Sequence, residues 1–368
     1  MKIALLGSAR SIHVIRWANG LSTLGHKVYV LSLHGLAHNL DEEVTLVQIA
    51  PRAPFGYFLA FSDVKRALER IAPDILNTHY ATGYGLLGTL SRFKPTLLSV
   101  WGSDVYDFPR KSPLHLLLLR WILKNATAIG STSYCMARQT ESVLKDKQIY
   151  VTPFGIDAKF FIDNIRRVDS MESKKRDVVI GTVKTLQNKY GIDTLIKAFQ
   201  IAQNRIGDKY NLHLKIYGNG SDLGNLMKLA EELDVKNRVD FLGNIKHSEV
   251  PVALAEMDIY MALSRFDSES FGVAVLEAGA CSLPVIVSDA QGLAEVVVNN
   301  ETGLIVPKEN AEAAANALIY LIENQEVRIA MGRNGRKHVK EKYSWEHSLE
   351  TMINAYSATI EIAKQGKQ

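Results

Sequence analysis

Short apolar runs, many of them β-branched and closed off by Gly, Pro or polar residues, alternate along this chain with longer stretches of helical periodicity. Over the first 150 residues the runs predict buried strands at 2–6, 27–33, 44–49, 75–77, 96–100, 128–131 and 148–151. Helices are expected between them over 11–24, 61–71, 84–92, 113–125 and 133–144. Residues 158–177, AKFFIDNIRRVDSMESKKRD, break this rhythm, being charged and aperiodic as a linker should be. The alternation then restarts, with strands at 178–183, 213–217, 239–242, 259–262, 284–287 and 304–306. The intervening helices are expected over 193–205, 220–233, 250–255, 273–280, 293–298 and 311–324, and 344–363 reads as one or two amphipathic helices. Alternating strand and helix predict parallel sheets covered on both faces. Two such α/β units joined by a linker imply a cleft, and ligands in open sheets of this kind bind at strand carboxyl ends.

Composition narrows the class. The 368 residues are 47% hydrophobic and 22% charged, which excludes disordered, collagen-like and coiled-coil chains and suits two or three domains. Cys135 and Cys281 are too few for a disulfide framework and lack metal-ligand spacing, so they read as small buried hydrophobes in a reducing compartment. The most apolar stretch, 114–123, is interrupted by His115 and Arg120, and MKIALLGSARS reads as a first strand rather than a signal peptide. A cytoplasmic protein is expected. The net charge of +4 is unevenly placed: residues 1–150 carry 17 Lys and Arg against 10 Asp and Glu (+7), and the remainder 26 against 29 (−3). The basic first half suits an anionic ligand, a phospholipid surface or nucleic acid, or is an uneven surface charge without function.

The nucleotide fingerprints are missing. GSARSIH after the first strand is not G-x-G-x-x-G, no P-loop occurs, and no D-x-D pair is present to share a divalent metal. Phosphate binding would fall to cations and helix N-termini. In GTVKTLQNKYGIDTLIKAF, Lys184 and Lys189 follow a strand end, where together they can neutralise a diphosphate, or are two solvated loop lysines. In SRFDSESFGVAVLEAGACSLPVIVSD, a helix starts near Phe271 or Gly272, so the amides of Ser270, Phe271, Gly272 and Val273 would be anion donors. Glu269 precedes that helix and Glu277 lies about two turns inside it, so both are expected on one face, and a carboxylate inside VAVLEAGA needs partners, from a ligand or from buried backbone.

At this point the residues resemble a family. The spacing Glu269–SFGVAVL–Glu277 is similar to the E-x7-E hallmark of retaining GT-B glycosyltransferases, glycosyltransferase family 4. GSARSIHVIRWANGLSTLGHKVYVLS, THYATGYG, SVWGSDVYDFP, VTPFGIDAKFF, IYGNGSDLGNL, VDFLGNI, SLPVIVSDAQGLAEVV and ETGLIVP follow in the family's order over nearly the whole chain. The resemblance implies a Rossmann-like acceptor domain over 1–160, a Rossmann-like donor domain over 175–345 and a C-terminal helix, about 346–368, packing back on the first. It implies that Lys184 and Lys189 hold the donor diphosphate and that Glu269 contacts the transferred sugar, beside the amides of Ser270, Phe271, Gly272 and Val273. Glu277 would hold the ribose, Gly218 and Asn219 the nucleotide pocket, and Asn244 and Ile245 the base. In the acceptor domain, Ser11, His13, Arg16, His79, Trp101 and Asp104 are the cleft candidates. From the residues alone, His13 and Arg16 read equally as exposed helix positions, and His79 as a backbone-bonded histidine. Trp101 stands where many members place a cleft histidine, which leaves Asp104 as the polar candidate there.

The function so implied is retaining transfer of a hexose-type sugar from a nucleotide-diphosphate sugar to a glycan or lipid-linked acceptor. No metal or other cofactor and no nucleic acid take part, and the setting is cell-surface polysaccharide or glycoconjugate synthesis. The segment PRKSPLHLLLLRW fits shallow contact with an anionic membrane, which would make the protein peripheral at its inner face, or is a buried amphipathic helix. A catalytically silent nucleotide-sugar or glycan-binding partner and a GT-B-like nucleotide-sugar epimerase are the other readings.

Overall fold

A computed structural model describes residues 1–50, 60–161 and 176–366, so residues 162–175 of the expected linker lie outside the described residues. The chain divides into two compact units, 1–154 with 346–368 and 155–345. Each is built on one parallel sheet.

In the first unit, β1 (Lys2–Leu6), β2 (Lys27–Ser32), β3 (Thr45–Gln48), β4 (Ile75–His79), β5 (Thr96–Val100), β6 (Ala128–Ser131) and β7 (Ile149–Val151) pair in the order β3-β2-β1-β4-β5-β6-β7. Every pairing is parallel. Apolar runs such as TLLSV of β5 arise because both faces of such strands are buried; β4 (ILNTH) is buried throughout too, but carries polar Asn77, Thr78 and His79. Helices α1 (Ile12–Thr23), α2 (Phe61–Ile71), α3 (Tyr84–Ser91), α4 (Ser103–Tyr106), α5 (Pro113–Asn125) and α6 (Tyr134–Val143) are the described helices between these strands. Strand β4 runs two residues beyond the expected 75–77, which takes His79 into the sheet.

In the second unit, β8 (Arg176–Val183), β9 (Tyr210–Tyr217), β10 (Val239–Gly243), β11 (Ile259–Ala262), β12 (Val285–Ser288) and β13 (Gly303–Val306) order as β10-β9-β8-β11-β12-β13, again all parallel. Around them lie α7 (Ile192–Ile206), α8 (Leu223–Glu232), α9 (Val250–Ala255), α10 (Val273–Ala280), α11 (Gln291–Val296) and α12 (Ala311–Glu323). Two further helices follow, α13 (Gln325–Lys342) and α14 (Trp345–Gln365). Helix α13 has no counterpart among the sequence-derived elements. Its residues are mostly polar and include Gly332 and Gly335, so apolar periodicity is faint; packing of α13 on α10, where Gly335 and Val339 adjoin Gly279, sustains it. Helix α14 returns to the first unit, where buried Tyr356 donates its hydroxyl to Asn77 Oδ1 of β4 at 2.8 Å.

Candidate functional site

Because each sheet is parallel, the carboxyl ends of its strands share one edge. Along that edge of the second sheet come Asn244 and Ile245 after β10, Gly218 and Asn219 after β9, Lys184 and Lys189 after β8, and Glu269 in the loop after β11. The strand sequence reverses direction between β8 and β11, the position at which open α/β sheets bind their ligands. Lys184 and Glu269 flank this point.

Lys184 Nζ donates to Glu269 Oε1 at 2.6 Å, with the two side chains only 16% and 10% exposed. Burial by itself would lower the lysine's pKa; the Glu269 carboxylate, with Tyr260 and Tyr190, outweighs it and holds the ammonium above the ordinary lysine range. Lys184 is therefore a fixed cation at neutral pH. The Tyr190 ring lies against both basic residues, with Lys184 Nζ and Lys189 Nζ each 4.6 Å from its centroid. A π face offsets part of the repulsion between two neighbouring ammonium groups.

Backbone contacts fix this arrangement. Gly218 has φ 139°, and a Cβ there would stand 1.9 Å from the Lys184 carbonyl oxygen, so only glycine lets the two loops approach. Lys184 N–H donates to the Tyr217 carbonyl at 2.9 Å and Leu186 N–H to the Asn219 carbonyl at 3.0 Å. Arg265 ties the β11 loop to the Lys189 turn: its N–H reaches the Lys189 carbonyl at 2.8 Å, and its guanidinium meets Asn188 Oδ1 at 2.7 Å, Asp193 at 2.5 Å and Glu309 at 3.0 Å. Arg265 pulls the Asp193 carboxyl below the usual range, although burial opposes it.

Ser270, Phe271 and Gly272 are buried directly ahead of α10, whose N-cap is Gly272. Gly292 of α11 makes room for them, since a Cβ there would lie 2.3 Å from the Glu269 carbonyl oxygen. One expected donor differs. The Val273 N–H turns back on the Phe271 carbonyl at 3.0 Å, so it is already engaged within the chain, a tight turn that follows from starting the helix at 273 rather than 271.

Glu277, buried inside α10, accepts from His247 Nε2 at 2.8 Å, and His247 Nδ1 lies 3.1 Å from Lys159 Nζ. An ammonium only donates, so Nδ1 is the acceptor and Nε2 carries the proton given to Glu277. The chain Lys159–His247–Glu277 thus orients one carboxylate oxygen. Sequence reasoning missed His247, which lies 30 positions from its partner with no motif spacing to expose it. It missed Arg265 for the same reason, whereas Tyr190, adjacent to Lys189, is an aromatic that the basic pair itself could have flagged.

The first unit gathers the other candidates at its own point of reversal, between β1 and β4. His13 stacks on Phe154 with centroids 4.1 Å apart, and Trp101 meets His13, His79 and Phe154 at 5.8, 5.4 and 5.8 Å. His79 is buried, and neither ring nitrogen has a hydrogen-bond partner among the described residues, which corrects the backbone-bonded reading. Burial, then the neighbouring His13, brings its pKa down to about 3, so the ring is neutral. Ser11 is the N-cap of α1 without a side-chain capping bond, and Arg16 is half-buried on the same helix. Asp104 does not serve as a polar cleft group. Its wholly buried carboxylate accepts N–H bonds from Ala81 (2.8 Å), Trp101 (3.1 Å) and Gly102 (2.9 Å), which joins the loops after β4 and β5. Burial raises its pKa while those amides oppose the rise. Among the described residues, no group of three or more His, Cys, Asp or Glu is placed to hold a metal ion.

Two parallel α/β sheets of seven and six strands, the second with a paired lysine and glutamate at its reversal point, define the GT-B class of fold. Comparison with known proteins makes this specific. Residues 164–338 match the model of the glycosyl transferases group 1 family and residues 2–133 the glycosyl transferase 4-like model. The chain is 30% identical to the capsular polysaccharide biosynthesis glycosyltransferase CapM of Staphylococcus aureus, over 80% of this chain and 82% of that one. It is 24% identical to the N-acetyl-alpha-D-glucosaminyl L-malate synthase of Bacillus anthracis, over 94% and 93% of the two. Its fold matches Anabaena HepE, solved with UDP and glucose, at a TM-score of 0.79 and 17% identity over 97% and 99% of the two chains. The chain belongs to the glycosyl transferases group 1 family. It is a glycosyltransferase that draws on a nucleotide-sugar.

Proposed function

We propose that this glycosyltransferase moves a hexose-type sugar, with retention and without a metal, onto a glycan or lipid-linked acceptor in cell-surface polysaccharide or glycoconjugate synthesis. The observation that carries the reading is the Lys184–Glu269 pair beside Lys189 at the carboxyl edge of β8 and β11. The lysines match a diphosphate, and a carboxylate 2.6 Å from one of them suits hydroxyls of the sugar on that diphosphate. Glu277, held by His247, would take the ribose hydroxyls, with Gly218, Asn219, Asn244 and Ile245 along the nucleotide. Capsule synthesis by CapM and the UDP and glucose bound by HepE favour a UDP-hexose and a polymer or lipid-linked acceptor. The first unit, with His13, His79, Trp101 and Phe154 clustered, would receive the acceptor, and work at the inner face of the membrane suits a lipid-linked one.

In this scheme the anomeric C–O bond breaks toward the diphosphate, whose growing charge the lysines stabilise. The acceptor oxygen bonds the anomeric carbon on the same face, and its proton passes to the leaving phosphate oxygen. The protein supplies position and charge rather than a nucleophile. The test is a transfer assay with UDP-, GDP- and ADP-sugars and a membrane extract as acceptor source, with and without EDTA. EDTA-insensitive transfer with retained anomeric configuration is expected, and Glu269→Ala or Lys189→Ala should each lower it about 100-fold or more. Nucleotide binding without transfer or hydrolysis would show a silent binding partner, and epimerisation without acceptor an epimerase.

A further inference from the structure

Helix α5 has two apolar faces. Leu119, Ile122 and Leu123 are fully buried against the first unit. Leu114, Leu117, Leu118 and Trp121, spaced i, i+3, i+4 and i+7, form a second stripe that is 76%, 58%, 37% and 43% exposed. The buried-helix reading of PRKSPLHLLLLRW therefore accounts for one face only. A contiguous run of large apolar side chains on a folded surface marks a contact site.

Charge says what covers it. From Phe108 to Thr140 the chain has no Asp or Glu, while Arg110, Lys111, Arg120, Lys124 and Arg138 are all exposed. The negative end of α5 is covered as well: Lys147 Nζ donates to the Lys124 carbonyl at 3.1 Å and Lys94 Nζ to that of Asn125. Arg120 Nε reaches the Val143 carbonyl at 3.0 Å, which keeps that cation on the α6 side of the stripe. A second copy of this chain packed by two-fold symmetry would set these cations against themselves. A bilayer with anionic headgroups accepts both features, the apolar stripe into its acyl boundary and the cations at its phosphates. Trp121 has the amphipathic ring favoured at that depth. No described helix is long and apolar enough to cross a membrane, so the contact lies along the surface.

We infer that α5 docks the first unit on an anionic lipid bilayer through Leu114, Leu117, Leu118 and Trp121, with the cations from Arg110 to Arg138 against the headgroups. This deepens the lipid-linked acceptor reading and rests on it only for the biological sense of the location. Vesicle binding measured without any sugar donor separates the two.

The test uses the purified full chain in flotation with vesicles of phosphatidylcholine alone or with 30 mol% phosphatidylglycerol (roughly the scale of anionic surface at which basic clusters bind). Binding at least tenfold tighter to the anionic vesicles is expected. Leu117→Ser/Trp121→Ser should weaken it at least tenfold, and Lys111→Gln/Lys124→Gln should abolish the lipid preference, with melting temperatures and nucleotide binding unchanged. No binding to anionic vesicles, or binding unaffected by Leu117→Ser/Trp121→Ser, overturns the inference. So does a concentration-dependent dimer that this double variant dissolves, since the stripe would then be an interface between copies. Loss of sugar transfer with vesicle binding intact would instead strike the proposed function.

Discussion

Lys184 meets two opposed demands, since burial favours its neutral form and Glu269 its charged one. The carboxylate wins, so the cation is preset for the diphosphate proposed to bind there. The two acids of the E-x7-E pair differ in their partners: Glu269 meets a lysine, Glu277 a histidine that is itself oriented by Lys159. That difference yields a separable prediction. His247→Ala should leave Glu277 without its orienting donor and raise the Kd for the nucleoside diphosphate about tenfold, the scale of one lost hydrogen bond to a charged group. Its kcat at saturating donor should change far less, and titration calorimetry with steady-state kinetics reads the split. Glu269 and Glu277 were visible because their spacing forms the E-x7-E signature, although Glu269 itself lies in the loop ahead of α10. His247 was invisible because the loop after β10 approaches α10 only in three dimensions. His79 gives a pH prediction. Its folded pKa of about 3 lies below the 6.5 of an unfolded histidine, so between these values the unfolded chain binds the extra proton. Stability is then lost as pH falls below 6.5, by up to about 1.4 kcal/mol per pH unit from this group. Denaturant titrations at pH 7.5 and 5.5 should show a drop roughly 1 kcal/mol larger for the wild type than for His79→Gln.

Strands were the most legible elements. A parallel strand buried on both faces favours a near-continuous apolar run, as LLSV in β5 and VIVS in β12 show, whereas the polar end of β4, Thr78 and His79, hid its last two residues. Helix α13 shows the limit, because residues 325–342 owe their helicity to packing on α10 rather than to their own pattern. Helix α14 is legible as an amphipathic helix, but its anchorage is a contact that only the fold reveals. Asn77 donates to the Leu97 carbonyl at 3.0 Å and to Ser99 Oγ at 2.9 Å, and its Oδ1 receives the Tyr356 hydroxyl. Tyr356→Phe removes that donor inside a buried network and leaves Oδ1 unsatisfied. A loss of about 1–2 kcal/mol is expected, read as a lower midpoint in urea unfolding. Asn77→Ala should cost more, since three hydrogen bonds go at once.

At the scale of the whole molecule, the charge division of +7 and −3 runs against the first guess about phosphate binding. The lysines expected to hold a diphosphate lie in the net-negative part of the chain, where Glu269 pairs with Lys184 and the Tyr190 ring lies against both cations. The basic part has its cations spread over exposed positions beside the stripe of α5. Buried and exposed charges respond differently to salt, because ions screen what they can surround. Raising NaCl from 0.1 to 1 M shortens the screening length from about 10 to about 3 Å. Vesicle binding through Arg110, Lys111, Arg120, Lys124 and Arg138 should then fall more than tenfold. Donor affinity at the largely buried Lys184 and half-buried Lys189 should fall about threefold or less. Flotation and calorimetry over the same salt series measure both. Equal salt dependence would mean that one diffuse basic surface serves both ligands, and would remove the distinction between a tuned donor site and a broad docking face.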